Sequence, residues 1–218
     1  MTASSVELKQ LIANAPLQSN INLSGLSLTD EEMNIVATEA IIEKQCIQLD
    51  LGSNNITSKG ALIIVNALDR SETIRRLYLS DNNIADEGAY YLSLSTENSS
   101  LFVLGLSRNG ITDDGVQHLS KMLERNRRLL VLGLEDNEIS DFGVANLAAA
   151  LKQNNTLQRL LLAENKMITD RSLDYLLDLM HNNRSLQRLD LRSCSLSPSI
   201  KLELQLVART KARFELLY

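Results

Sequence analysis

LGLSRNGI at residues 104–111 returns 28 residues later as LGLEDNEI at residues 132–139. Working outward, LYLSDNNI (77–84) and LDLGSNNI (49–56) stand upstream and LLLAENKM (160–167) downstream, so five segments share L-x-L-x-x-N-x-(I/M). Their first leucines, Leu49, Leu77, Leu104, Leu132 and Leu160, are separated by 28, 27, 28 and 28 residues. Self-similarity at a fixed period of this size marks stacked repeat units. Degenerate copies extend the series to Ile21, Leu23, Leu26 and Leu28 on one side and to Leu189, Leu191, Cys194 and Leu196 on the other. The pattern predicts seven strands from Ile21 to Leu191.

Between the strands lie segments of helical length. Gly143, Leu147 and Leu151 recur at four-residue spacing, as do Gly115, Leu119 and Leu123, and Gly60, Ile64 and Leu68, which places each set on one helix face. Thr57, Thr112 and Ser140 are expected N-caps, with acidic residues in the first turn where the helix dipole favours them. Glycine inside a helix costs up to about 1 kcal/mol against alanine. Its return at Gly60, Gly88, Gly115 and Gly143 therefore implies a compensating close approach of helix to sheet.

Strands and helices alternating at so short a period stack unit on unit. L-x-x-L-x-L-x-x-N/C-x-L with a full helix in each unit of about 28 residues resembles the ribonuclease-inhibitor-like leucine-rich repeats. The resemblance covers nearly the whole chain. It implies a right-handed α/β solenoid, a horseshoe with a parallel β-sheet on the concave face and helices on the convex face, whose concave face commonly binds proteins. The expected organisation is one leucine-rich repeat domain over residues 1–218: a helical cap (1–20), strand-helix repeats (21–196), and a last helix with a half-repeat (197–218). Val6, Leu8, Leu11 and Ile12 align with helix positions of a full unit, and Phe214 and Leu217 lie one period after Leu186 and Leu189, which suggests an eighth strand. Its free edge could pair with a second copy.

Two units are irregular. The one after Leu77 is a residue short and places Thr96 where others have Leu, beside Tyr90 and Tyr91; the one after Leu160 carries an extra residue near Met167 and Ile168. Drift in a tolerant array accounts for both, or the first marks a looser, tyrosine-bearing patch on the outer face.

Composition narrows the function. Hydrophobic residues make up 44% and charged residues 22%, the usage of a folded chain rather than a disordered one. A net charge of -5 gives no basic footprint for nucleic acid. The sequence has no apolar run long enough for a membrane span and no signal-peptide pattern, which points to the cytoplasm. Asn-x-Ser/Thr triplets at Asn22, Asn55, Asn98, Asn154 and Asn183 are expected by chance. Cys46 and Cys194 fall five strands apart and are expected to be reduced thiols.

No constellation argues for catalysis, a metal or a cofactor. His118 and His181 are the only histidines and fall on different helices. The chain lacks zinc-ligand spacing, a phosphate-cradling glycine loop and a G-x-S-x-G elbow. The asparagine series, Asn54, Asn82, Asn109, Asn137 and Asn165, is expected to satisfy the backbone of the turns.

The informative positions are strand residues that alternate away from the core. They are Gln48 and Asp50; Arg76, Tyr78 and Asp81; Val103, Gly105 and Arg108; Val131, Gly133, Glu135 and Asp136; Arg159, Leu161 and Glu164; and Arg188, Asp190 and Arg192. Tyr78, Val103, Val131 and Leu161 form an apolar strip around Gly105 and Gly133. Arg76, Arg108, Arg159, Arg188 and Arg192 border it, opposed by Glu135, Asp136 and Glu164, the make-up of a protein interface. The expected function is non-catalytic capture of a protein or peptide on this face. Alternatives are a GTPase-activating regulator resembling Ran GTPase-activating proteins, or a microbial effector or innate immune receptor fragment using the same face.

Overall fold

The structure, a computed structural model, describes residues 5–96 and 100–218, with the side chains of Ser95 and Thr96 outside the described set. Asn98 and the side-chain position read for Thr96 thus fall outside it. In every L-x-L motif the two leucines project to one side of a three-residue strand, and all of them from Leu49 to Leu191 are buried. The strands are β1 (Asn20–Asn22), β2 (Gln48–Asp50), β3 (Arg76–Tyr78), β4 (Val103–Gly105), β5 (Val131–Gly133), β6 (Arg159–Leu161), β7 (Arg188–Asp190) and β8 (Glu215–Leu217). They form one parallel sheet in sequence order.

Each pairing is in register with the repeat, so Leu49 meets Leu77, Leu77 meets Leu104, and equivalent positions line up in rows across the sheet. The eighth strand forms as expected, but Leu216 rather than Leu217 continues the row of Leu189. The last step, from Leu189 to Leu216, is 27 residues rather than the 28 expected, which moves Leu217 onto the opposite face beside Asp190.

The helices are α1 (Ser5–Asn14), α2 (Met33–Ile35, continuing in π-helical form over Val36–Glu43), α3 (Ser58–Leu68), α4 (Ala85–Thr96), α5 (Asp113–Arg125), α6 (Asp141–Leu151), α7 (Leu173–Asn182, entered by a 3-10 turn at Asp170–Ser172) and α8 (Pro198–Thr210). The helices turn their apolar faces onto the sheet, and in α3 to α6 that face includes a glycine, as with Gly143, Leu147 and Leu151 in α6. Strands pack about 4.8 Å apart and helices about 8–10 Å apart, so the helical side is the longer one and the free strand face is concave. In α1 Leu8 and Ile12 are buried, whereas Val6 and Leu11, expected inward, are exposed.

The asparagine series does what its chemistry predicts. Asn54 donates to the carbonyls of Leu23 and Leu51 (3.0 and 2.9 Å), and its oxygen accepts from the amides of Leu26 and Leu28 (3.1 and 2.9 Å). Asn82, Asn109, Asn137 and Asn165 repeat the pattern one unit at a time. Cys194, in the same place, reaches only one carbonyl, that of Leu162. A second series at the helix ends, Asn154 and Asn183, binds carbonyls of the unit before, which buries the asparagines of two of the five Asn-x-Ser/Thr triplets.

The helix starts correct two expectations. Thr57, Thr112 and Ser140 do cap their helices, but the acidic residues beside such caps act on the following unit as well. Asp30 accepts from the amide and hydroxyl of Thr57 (2.8 and 2.6 Å) and from the Gly60 amide (3.0 Å); Asp86 does the same for Thr112 and Gly115. Asp113 serves Ser140 and Asp141 serves Thr169. The helix glycines thus make room chiefly for a carboxylate and an isoleucine: a Cβ on Gly143 would lie 2.5 Å from Asp113 Oδ1 and 2.6 Å from Ile139 Cγ2. Gly88 is the variant, packed on Ile84 and near Ser58, because no aspartate stands there.

The extra residue near position 167 is also resolved differently. Ile168 takes the buried place that Ile139 holds one unit earlier, and Met167, expected inward, is pushed to the surface. No helix among the described residues is long and apolar enough to cross a membrane.

Candidate functional site

The concave face is a grid of rows crossing the strands. The first row reads Arg76, Val103, Val131, Arg159, Arg188 and Glu215; the second reads Tyr78, Gly105, Gly133, Leu161, Asp190 and Leu217. Tyr78, Val103, Val131 and Leu161 are each half-buried on four adjacent strands. The sheet therefore brings together the strip expected from the sequence.

The space over the two glycines is not open. The Tyr78 ring leans across Gly105, where an added Cβ would stand 3.0 Å from Tyr78 Cδ1. The Glu135 carboxylate leans across Gly133 in the same way, at 3.0 Å, and accepts a 2.5 Å hydrogen bond from Ser107 Oγ. Val103, Val131 and Leu161 are left as the apolar centre, with Tyr78 at one end and Glu135 on one flank.

The five arginines do not form one border. Arg76 and Arg159 are exposed and have no ion-pair partner among the described residues, and Arg188 on the same row pairs with Glu215 at 2.5 Å. Arg108 and Arg192 instead lie toward the other ends of their strands. Arg108 binds Asp136 at 2.9 Å, and that hydrogen bond, with the charges of Asp136, Asp81 and Glu164, raises its pKa. Arg192 binds Asp190, which is 2% exposed, at 2.6 Å. Glu164 is bound by Lys166 at 2.5 Å, which lowers its pKa.

Asp81, Arg108, Asp136 and Glu164 share a left-handed backbone conformation with φ of 59°, 54°, 50° and 64°. This bend, one residue before each ladder asparagine, projects their side chains along the rim. With Asp50, Ser80, Ser107 and Glu135 they line a hollow of about 420 Å³ in which carboxylates outnumber the single arginine. Its existence was not apparent from the sequence; the signal available was the recurrence of acidic residues at the position before Asn.

A second surface was also missed. On the edge where helices begin, Phe142 (77% exposed), Met167 and Tyr175 flank a cleft of about 750 Å³ with Lys166 and Arg171. The inserted residue creates it by displacing Met167. On the outer face, Tyr90 packs against Tyr91 and edge-on to His118, with ring centres 5.6 and 4.8 Å apart. His181 lies apart on α7.

Residues 45–64, 70–93, 97–120 and 182–200 match the leucine-rich repeat family model. Over 187 residues, 84% of this chain, the sequence is 34% identical to human NACHT, LRR and PYD domains-containing protein 14, of which the match covers 17%. It is 31% identical over 121 residues, 53% of this chain, to the Caenorhabditis briggsae protein phosphatase 1 regulatory subunit 37 homolog, of which the match covers 13%. The chain thus spans less than a fifth of the length of either relative. Among solved structures, leiomodin-1 actin-binding site 2 aligns over 82% of this chain and 84% of that one at 17% identity, with a TM-score of 0.45. The chain carries leucine-rich repeats.

Proposed function

We propose that these leucine-rich repeats, of the ribonuclease-inhibitor-like kind, hold a partner protein on the concave sheet face without catalysing a reaction. The observation that carries the reading is the apolar centre itself. The repeat requires its leucines on the inner side of each strand, but nothing in the scaffold requires Val103, Val131 or Leu161 on the outer side. Contiguous apolar exposure on neighbouring strands, beside Arg76 and Arg159, which have no ion-pair partner among the described residues, has the composition of an interface core and its rim. One relative named as a phosphatase regulatory subunit supports a role exercised through another protein.

The test is affinity purification with the wild-type chain and with Val131→Arg and Leu161→Arg, each checked by thermal unfolding. Both substitutions place a charge at a half-exposed position, so folding is expected to survive while the co-purifying partner is lost. Capture of the same partner by both folded variants would refute the assignment of the face.

A further inference from the structure

Among the described residues, β8 has β7 on one side and no strand on the other. Its bonds to β7 decide which backbone groups stay free. The Glu215 amide donates to the Gln187 carbonyl, and the Leu217 carbonyl accepts from the Leu191 amide, both at 2.7 Å. Successive strand residues turn their backbone groups to opposite edges. Those of Glu215 and Leu217 therefore face β7, and those of Phe214, Leu216 and Tyr218 face the free edge.

The same three residues share one side of the sheet. Leu216 continues the inward row of Leu189, and alternation puts Phe214 and Tyr218 on that side. Leu160 and Leu189 in this row are fully buried, whereas Leu216 and Phe214 are half-buried and Tyr218 is 39% exposed. With Gln205, Ala208 and Arg209 of α8 they line a hollow of about 440 Å³ along the strand.

We propose that β8 pairs antiparallel with β8 of a second copy of this chain, about a two-fold axis at Leu216. A two-fold interface sets one patch against itself, and this patch is self-complementary. Leu216 meets Leu216 of the second copy, and the two exchange both N–H···O bonds. Phe214 then stands opposite Tyr218 of the second copy, and Tyr218 opposite Phe214. The free backbone groups of all three residues meet partners, and the rings form cross-strand aromatic pairs on the core side. Reversal of the strand also carries each Tyr218 to the end where the other β8 begins, which is the end of α8 that bears Arg209, a guanidinium suited to an aromatic ring. On the concave face Arg188 neutralises Glu215 at 2.5 Å, so no unpaired carboxylate opposes the approach. A copy added through its β1 would extend the solenoid in parallel, the less stable pairing, and would present Asn20 and Asn22, which are poor strand formers.

The test uses the full chain. Size-exclusion chromatography with light scattering should give twice the mass of one chain, falling to a single chain on dilution. Leu216→Pro removes the donor at the centre of the pairing and none of the bonds to β7, so this variant should fold and be monomeric. The axis sets Glu215 opposite Leu217 of the second copy in a pair with Cα atoms about 4.5 Å apart, within disulfide reach. A mixture of Glu215→Cys and Leu217→Cys should therefore give about ten-fold more cross-linked dimer under mild oxidation than either variant alone. Four results would overturn the proposal: a monomeric wild type at every concentration, an open series of oligomers from head-to-tail addition, a folded Leu216→Pro variant that stays dimeric, or cross-linking no greater in the mixture. If Leu216→Pro fails to fold, the cysteine mixture decides.

Discussion

The carboxylate of Asp86 reaches from one unit to the start of the next, accepting from the Thr112 hydroxyl at 2.7 Å and from the amides of Thr112 and Gly115 at 2.8 and 3.0 Å. Asp86→Ala removes these bonds and leaves two amide donors without their partner, an expected loss of about 2 kcal/mol. Urea unfolding should show the midpoint shift. Ser58→Asp, one unit earlier, should give no gain, because Ala85 has no hydroxyl to donate.

Gly143→Ala sets two effects against each other. Helix propensity favours alanine by up to about 1 kcal/mol, but the new Cβ would lie 2.5 Å from Asp113 Oδ1 in the part of the structure where that carboxylate holds Ser140. The clash should win and the thermal midpoint should fall. A rise would show that the glycine is there for some other reason.

Asn137 accepts from the amides of Asn109 and Ile111 at 3.0 and 3.1 Å and donates to the carbonyls of Leu106 and Leu134. Asn137→Leu keeps the volume but strands two buried donors, each worth about 1–3 kcal/mol. A loss of about 3 kcal/mol or more is expected by denaturant titration. A loss under 1 kcal/mol would mean that the backbone finds other partners.

Burial pushes both thiols, Cys46 and Cys194, up to about 12. The thiolate is the reactive form, so a disulfide reagent at pH 8 should modify neither in the native chain and both in urea. Rapid native labelling of either would contradict their placement.

Asp141 is pulled in two directions. Partial burial alone raises its pKa, but hydrogen bonds from Ser172 and Thr169 and the charge of Arg171 outweigh that and lower it. A carboxyl held below its unfolded value of about 3.9 contributes stability above that pH and loses it as pH falls through the folded value. Stability should therefore decline below about pH 4, and Asp141→Asn should flatten part of that decline. An unchanged acid limb would argue against the contribution.

The leucines, the asparagine series and the sheet order were legible in the sequence because each is set by a short-range rule repeated several times. Strand alternation fixes Leu49 and Leu51 inward, and a carboxamide can donate to and accept from a turn backbone at once, through separate atoms. The failures came where one inserted or missing residue changed the phase. Met167 occupied the expected place of Ile168, and Leu217 that of Leu216, since a linear pattern does not show on which side of the motif the chain absorbs an insertion. The aspartate relay was missed because its partners lie 26–30 residues away, although Ser58 and Ala85 fall one unit apart and break the pattern together. On the candidate face the apolar residues were identified, but side-chain direction was not. Tyr78 and Glu135 covering the glycines, and Arg108 and Arg192 joining the acidic rim, depend on rotamers and ion pairs.

That shared exception at Ser58 and Ala85 gives the solenoid a fault line. Elsewhere an aspartate ties one helix start to the next; here the tie is replaced by a single exposed hydrogen bond from Ser58 to Glu87. Arg76, Tyr78, Val103, Val131 and Leu161 all lie on the same side of it. The proposed binding grid therefore stands on units whose helix starts are joined by Asp86, Asp113 and Asp141.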